Sequence, residues 1–186
     1  MLLGMQLAPE LSGQVALVTG AGRGIGRAIA LALAGCGARV YLCARSADEL
    51  DEVAAAIRAE GHGEGLPCPL DVADPAAVAG CFAQLAAAEG GRLDILINNA
   101  GIGAFATVED TPLAELRRML AINAEAAFAC CQEALRLMRP QNRGWLIQIG
   151  SVVSVKGYPE QAAYTMSKHA LMGLTKSLAA ELQGTG

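Results

Sequence analysis

Residues 15–26 read Val15-Ala16-Leu17-Val18-Thr19-Gly20-Ala21-Gly22-Arg23-Gly24-Ile25-Gly26. An apolar run of strand length ends in alternating glycines, and a helix-forming stretch follows to about Ala34. Glycine lets the backbone turn sharply and brings its N–H groups close to a phosphate. The N-terminus of the following helix adds partial positive charge at the same point. The stretch predicts a strand–turn–helix unit that holds a nucleotide at the carboxyl end of the first strand.

Outward from this unit, short apolar runs alternate with longer helical ones. Strands are predicted at Val15–Thr19, Arg39–Ala44, Leu66–Leu70, Leu93–Ile97 and Gly144–Ile149. Between them, Ser46 with Glu49 forms a capping box for a second helix that Gly61 and Gly63 terminate. Asp74 caps a third helix with Pro75 at its first position, where a missing N–H costs nothing. Thr111 and Pro112 open a long helix to about Met138, and a last helix covers about Gln161–Leu182. The βαβαβαβαβα order with apolar strands predicts an α/β fold: one Rossmann-like, doubly wound parallel sheet covered on both faces.

The chain has 186 residues, fitting a single domain, 1–186, with an N-terminal extension over 1–12. Fourteen Lys+Arg against 18 Asp+Glu give a net charge of −4. That balance, with 4 % aromatics, argues against nucleic-acid partners, which need a basic face and stacking platforms. Met1–Gly13 has no basic start and is interrupted by Pro9 and Glu10, so neither a signal peptide nor a membrane span is expected. Cys36, Cys43, Cys68, Cys81, Cys130 and Cys131 form no CxxC pair, and the histidines are only His62 and His169. No metal site is expected, and reduced thiols in a cytoplasm fit this usage.

Several nucleotide turns can be separated by spacing. No Gly-Lys-Ser/Thr follows, which excludes a P-loop. Gly-x-Gly-x-x-Gly fails at Ile25. Gly20, Gly22 and Gly24 fit the Gly-x-Gly-x-Gly of many methyltransferases, but Val18 and Thr19 stand where those proteins usually carry an acid. Thr-Gly-x3-Gly-x-Gly remains, at Thr19, Gly20, Gly24 and Gly26.

With four further landmarks the chain resembles the short-chain dehydrogenase/reductase family, classical type, from about Ser12 onward. These are Asn98-Asn99-Ala100-Gly101 after strand four, Asn123 in the long helix, Ser151 after strand five, and Tyr164-Thr165-Met166-Ser167-Lys168. The resemblance implies an oxidoreductase that interconverts a carbonyl and an alcohol by hydride transfer. It implies Asn123, Ser151, Tyr164 and Lys168 as the catalytic set, with Tyr164 the general acid/base. Tyr164 and Lys168 are four apart and share a helix face. At about 4 Å and an effective dielectric of about 20, an ammonium stabilises a phenolate by roughly 4 kcal/mol. Lys168 is implied to bind the nicotinamide ribose as well. Ser151 would orient the substrate oxygen, with Ser154 as runner-up. Asn123 would hold a relay water, or else bond backbone.

For the cofactor, the resemblance implies contacts from Thr19, Gly20, Arg23, Gly24, Ile25, Gly26, Arg45, Asp71, Val72, Asn98, Ala100, Gly101, Tyr164 and Lys168. Asn98 has an alternative role in holding the central sheet together. Ala44 and Arg45 stand where an NAD-binding fold places an acid, so a 2′-phosphate is attracted and NADP(H) is favoured over NAD(H). The family pattern continues past the last helix with further strands and a substrate-covering segment, whereas this sequence stops at Gly186. The expectation is a fragment or a short form lacking the C-terminal strands, with strand five at a sheet edge. The competing expectation is a catalytically impaired nucleotide-binding or oligomerising short form. A homodimer or homotetramer is implied through the long helix and the helix bearing Tyr164. The substrate class beyond a small carbonyl or alcohol is not readable.

Overall fold

A computed structural model describes residues 10–185. The first nine residues of the expected N-terminal extension, and with them most of the segment read for a signal peptide, lie outside the described residues.

Five parallel strands form one sheet in the order β3-β2-β1-β4-β5. They are β1 (Val15–Thr19), β2 (Arg39–Ala44), β3 (Glu64–Pro69), β4 (Ile95–Asn98) and β5 (Trp145–Gln148). β1 is buried along its whole length, as expected for a central strand covered on both faces. One face packs α1 (Gly24–Gly35) and α2 (Ala47–Glu60) on Ala16, Val18, Val40, Leu42, Ile95 and Ile97. The other packs α3 (Pro75–Ala88) and, further along the chain, α5 (Ala126–Gln141) on Val15, Leu17, Cys43 and Leu96.

The strand order reverses at β1. The chain moves outward to β2 and β3, then returns to β4 on the opposite side. The crevice at such a reversal, beyond the carboxyl ends of β1 and β4, is where open α/β sheets bind ligands. In register, Val18 faces Ile97, so the turn after β1 and the Asn98–Gly101 segment emerge side by side.

The caps work as read, with one change. Asp74 Oδ1 accepts from Ala76 N at 2.9 Å and Ala77 N at 3.3 Å. Ser46 Oγ accepts from Glu49 N at 3.3 Å. The Glu49 carboxylate leans onto the glycine turn: a Cβ at Gly22 would lie 2.6 Å from Glu49 Oε2. Gly61 ends α2 at φ 75°, a left-handed cap suited to glycine.

Two boundaries differ from the sequence reading. β3 begins earlier and contains Pro67 and Pro69. It tolerates them because it is an edge strand, where an absent N–H breaks no ladder on the outer side. The predicted single long helix is α4 (Leu113–Leu120), a wider π turn (Ala121–Glu125) and α5, running on without a break. The Ala126 N–H bonds Ala121 O, five residues back rather than four. A last helix, α6 (Ala162–Glu181), follows β5. Among the described residues β5 is an edge strand, with Trp145 and Ile147 exposed. No helix among them is long and apolar enough to cross a membrane.

Candidate active site

The turn after β1 is built to leave backbone donors open. Gly20 and Gly24 have φ of 65° and 57°, in the left-handed region that side chains disfavour. A Cβ at Gly26 would lie 2.1 Å from Gly20 O, so only glycine lets α1 start this close to β1. α2 and α3 have side-chain caps, but no side chain caps α1, whose N-cap residue is Arg23. Its first N–H groups therefore remain for a ligand, and they carry the positive end of the helix dipole.

Thr19 and Asn99 tie this turn to the next strand. Thr19 Oγ1 donates to Ile97 O at 3.3 Å and accepts from Asn99 N and Ala100 N, each at 3.0 Å. Asn99 Nδ2 donates to Thr19 O at 2.9 Å and Gly20 O at 3.2 Å. The sequence places Asn99 only within the cofactor-side backbone of residues 98–101, with no role for its side chain. Its neighbour Asn98 points to the other face, donating to Ala127 O and Cys131 Sγ, each at 3.3 Å, and so holds α5 to the sheet. Side chains alternate along a strand, so two consecutive asparagines cannot serve the same face.

Asn123 lies in the π turn, 1 % exposed. Its Oδ1 accepts from Ile102 N at 2.8 Å, and its Nδ2 donates to Ile102 O at 2.8 Å and Ser167 Oγ at 2.9 Å. Both amide donors are thus engaged. Ser167 Oγ donates to Tyr164 O at 2.8 Å, one helical turn back. Asn123 therefore clips the loop after β4 to the turn of α6 that carries Tyr164 and Lys168. Ser167 also escaped the sequence reading, although its place three residues after Tyr164 fits such a back-bond.

Lys168 is 5 % exposed, and its Nζ donates to Ile149 O at 2.8 Å. Burial lowers the pKa of its ammonium. A Cβ at Gly101 would lie 3.6 Å from that Nζ and 3.2 Å from Asn123 Oδ1. The half-buried Tyr164 ring stands beside Gly103 and meets Phe105 edge-on, with centroids 6.3 Å apart. Among the described residues the Tyr164 hydroxyl has no hydrogen-bond partner, and no bond joins it to Lys168.

The two candidate serines separate by environment. Ser154 is buried, and its Oγ accepts from Ser151 N at 3.0 Å, closing the short turn after β5. Ser151 is partly exposed, and its Oγ accepts only a long bond of 3.4 Å from Val153 N. Neither hydroxyl donates among the described residues, and Ser151 is the one of the two that solvent reaches.

On the adenosine side, Arg23 and Arg45 are exposed and make no ion pair among the described residues. Asp71 is exposed and accepts from Ala73 N at 3.0 Å, while Val72 is buried. Beneath the crevice, Thr19, Asn98, Ala100 and Asn123 line a cavity of about 10 Å³, close to the space of one water.

The residues fit a dinucleotide on three grounds: an uncapped helix start, glycines that a Cβ would block, and a buried lysine four residues after an unpartnered tyrosine on α6. The comparisons with known proteins agree. The sequence profile of the short chain dehydrogenase family matches residues 14–186. A 3beta-hydroxysteroid dehydrogenase of Mediterraneibacter gnavus is 39 % identical over 175 residues, 93 % of this chain and 62 % of that protein. A metagenomic short-chain oxidoreductase solved with NADP is 40 % identical with a TM-score of 0.88, over 94 % of this chain and 78 % of the other. An NAD+-bound xylitol dehydrogenase is 38 % identical with a TM-score of 0.89, over 93 % of this chain and 66 % of the other.

Proposed function

The chain belongs to the short-chain dehydrogenase/reductase family, and from that premise we propose that it interconverts a carbonyl and an alcohol with NADP(H). The observation that carries this is that Tyr164, with its hydroxyl unpartnered among the described residues, and the buried Lys168 lie four apart on α6, at the sheet end where α1 is left uncapped. The residues matched amount to 62 % of the hydroxysteroid dehydrogenase, so activity, substrate and partners are all part of the proposal.

The N–H groups at the start of α1 hold the pyrophosphate, and the nicotinamide supplies or takes the hydride when bound. Tyr164 Oη gives a proton to the substrate oxygen in reduction and takes it back in oxidation. Ser151 Oγ donates to the same oxygen. Lys168, four residues on, brings its ammonium to the same helix face as the phenol. Asn123, through Ser167 and Ile102, positions α6 against the loop after β4. Arg45 and Arg23 favour the 2′-phosphate of NADP(H), and the Glu49 carboxylate at Gly22 opposes it.

We assign the protein to the cytoplasm, in keeping with six free thiols. A dimer or tetramer forms through α4, α5 and α6, where Leu113, Phe128 and Met166 are exposed. The test is NADPH consumption against a panel of ketones, with binding followed by NADPH fluorescence. Consumption supports the proposal. Binding without consumption supports a nucleotide-binding or oligomerising module instead, and no binding removes both.

A further inference from the structure

Cys43, Cys68 and Cys81 are distant in sequence, yet their sulfurs all lie within 4.8 Å of one another. Cys43 and Cys68 are register partners on β2 and β3, and Cys81 comes down from α3. Cys68 Sγ is 2.7 Å from Cys81 Sγ, and Cys43 Sγ is 3.8 Å from Cys81 Sγ. Cys43 and Cys81 are buried, whereas Cys68 is partly exposed on the edge strand. None of these groups takes part in the proposed chemistry.

We propose that Cys68 and Cys81 form a reversible disulfide when the chain meets a hydroperoxide, with Cys68 as the thiol that reacts first. Cys68 is the member of the trio that an oxidant reaches from solvent. Hydrogen bonds from the Cys43 and Cys81 thiols hold its pKa down, to about 4, which keeps the sulfur as the nucleophilic thiolate. Cys43, bonded to Cys68 and Cys81 and fully enclosed, is pushed well up and stays a thiol.

The Cys68 thiolate attacks one peroxide oxygen. The O–O bond breaks, an alkoxide or hydroxide leaves and takes a proton, and Cys68 becomes a sulfenic acid. The Cys81 sulfur then attacks Cys68 Sγ. The S–O bond breaks, and the oxygen leaves as water with the Cys81 proton. The sulfurs close from 2.7 Å to the roughly 2.05 Å of a disulfide. Two thiols are oxidised by two electrons, and one peroxide is reduced to an alcohol or water.

A three-thiolate metal site is the other use of such a cluster, and the surroundings disfavour it. Cys43 and Cys81 sit among Leu70, Val78 and Phe82. Among the described residues the only hydrogen-bond partners of the three sulfurs are one another. Three thiolates around a divalent ion would bury net negative charge with no donor to offset it. A disulfide is neutral and suits an apolar wall.

The experiment is peroxide treatment of the full chain, followed by thiol counting and peptide mapping. No Lys or Arg lies between Arg58 and Arg92, so trypsin leaves Cys68 and Cys81 on one peptide, with Cys43 on another. A second cut at Asp71 or Asp74 separates the two. The expected result is loss of two of the six thiols, a 59–92 peptide lighter by two hydrogens, and fragments that part only after dithiothreitol. In Cys68→Ser the rapid loss of thiols disappears. The proposal is overturned if the thiols oxidise one by one without a 68–81 link, or if the link joins Cys43. It is equally overturned if the chain binds one zinc whose removal by chelator is needed before any of the three reacts.

Discussion

At the end of the sheet where strands begin, the charged side chains and Tyr41 are paired with one another, whereas at the end where strands finish the Tyr164 hydroxyl, the first N–H groups of α1 and two arginines lack partners among the described residues. Asp94, 2 % exposed, accepts from Val15 N at 2.8 Å and from both Arg92 Nε and Nη2, with Arg143 at 3.6 Å. Nearby, Tyr41 donates to Glu89 Oε1 at 2.8 Å, and Glu89 also pairs with Arg39. Burial and that carboxylate push the Tyr41 phenol up to about 12, far from any use in proton transfer near neutral pH. Tyr164 at the other end has no partner, α1 is uncapped, and Arg45 and Arg23 are unpaired among the described residues. Buried polar groups normally find partners because leaving them without costs about 1–3 kcal/mol each. An end where donors stay available is an end shaped for a ligand.

The same substitution at the two tyrosines breaks or confirms this contrast. Tyr164→Phe is expected to lower turnover by about 10²–10⁴-fold, with NADPH affinity and melting temperature unchanged. Steady-state kinetics and a fluorescence titration check it. Asp94→Ala is expected to remove about 1–3 kcal/mol of stability, because the buried Val15 N loses its acceptor while Arg92 can turn to solvent. Urea unfolding measures it, and turnover per folded molecule should stay at the wild-type value. Arg45→Ala is expected to lower the NADPH/NADH preference by about tenfold, the worth of one charged hydrogen bond. The ratio of kcat/KM values decides, and an unchanged ratio removes Arg45 from cofactor choice. Tyr41→Phe should cost about 1 kcal/mol of stability and no turnover.

Lys168→Met sharpens the contrast through pH. Burial lowers the lysine pKa below its ordinary 10.5 in the folded chain. Between the lowered value and 10.5 the unfolded chain holds more protons, so stability rises with pH there, and at lower pH the cost of burying the charge is fully present. The variant should lose activity, keep or gain stability near neutral pH, and lose the stability rise as pH approaches 10.5.

Much of the functional end was legible because it depends on local backbone chemistry. The glycine turn could be read from spacing as a nucleotide turn, whereas Tyr164 and Lys168 took their roles from the family resemblance that the landmarks carry together. What needed the fold were choices of face and long-range neighbours. Asn98 and Asn99 could not be told apart until β4 was seen between α5 and the glycine turn. Asn123 left a relay water and a backbone bond both open, and the choice depends on its bonds to Ile102 and Ser167 in two other segments. The start of β3 was missed because Glu64 and Gly65 follow directly on Gly61 and Gly63, which read as the turn that ends α2. The cysteine trio had no signature at all, since residues 43, 68 and 81 meet only through β-sheet register and the docking of α3.

The most direct test is hydrogen–deuterium exchange with and without NADPH. Binding at the open end predicts added protection over residues 20–26 and 98–102, with residues 92–94 and 139–143 unaltered. Protection confined to the Asp94 end, or none at saturating NADPH, would contradict the account.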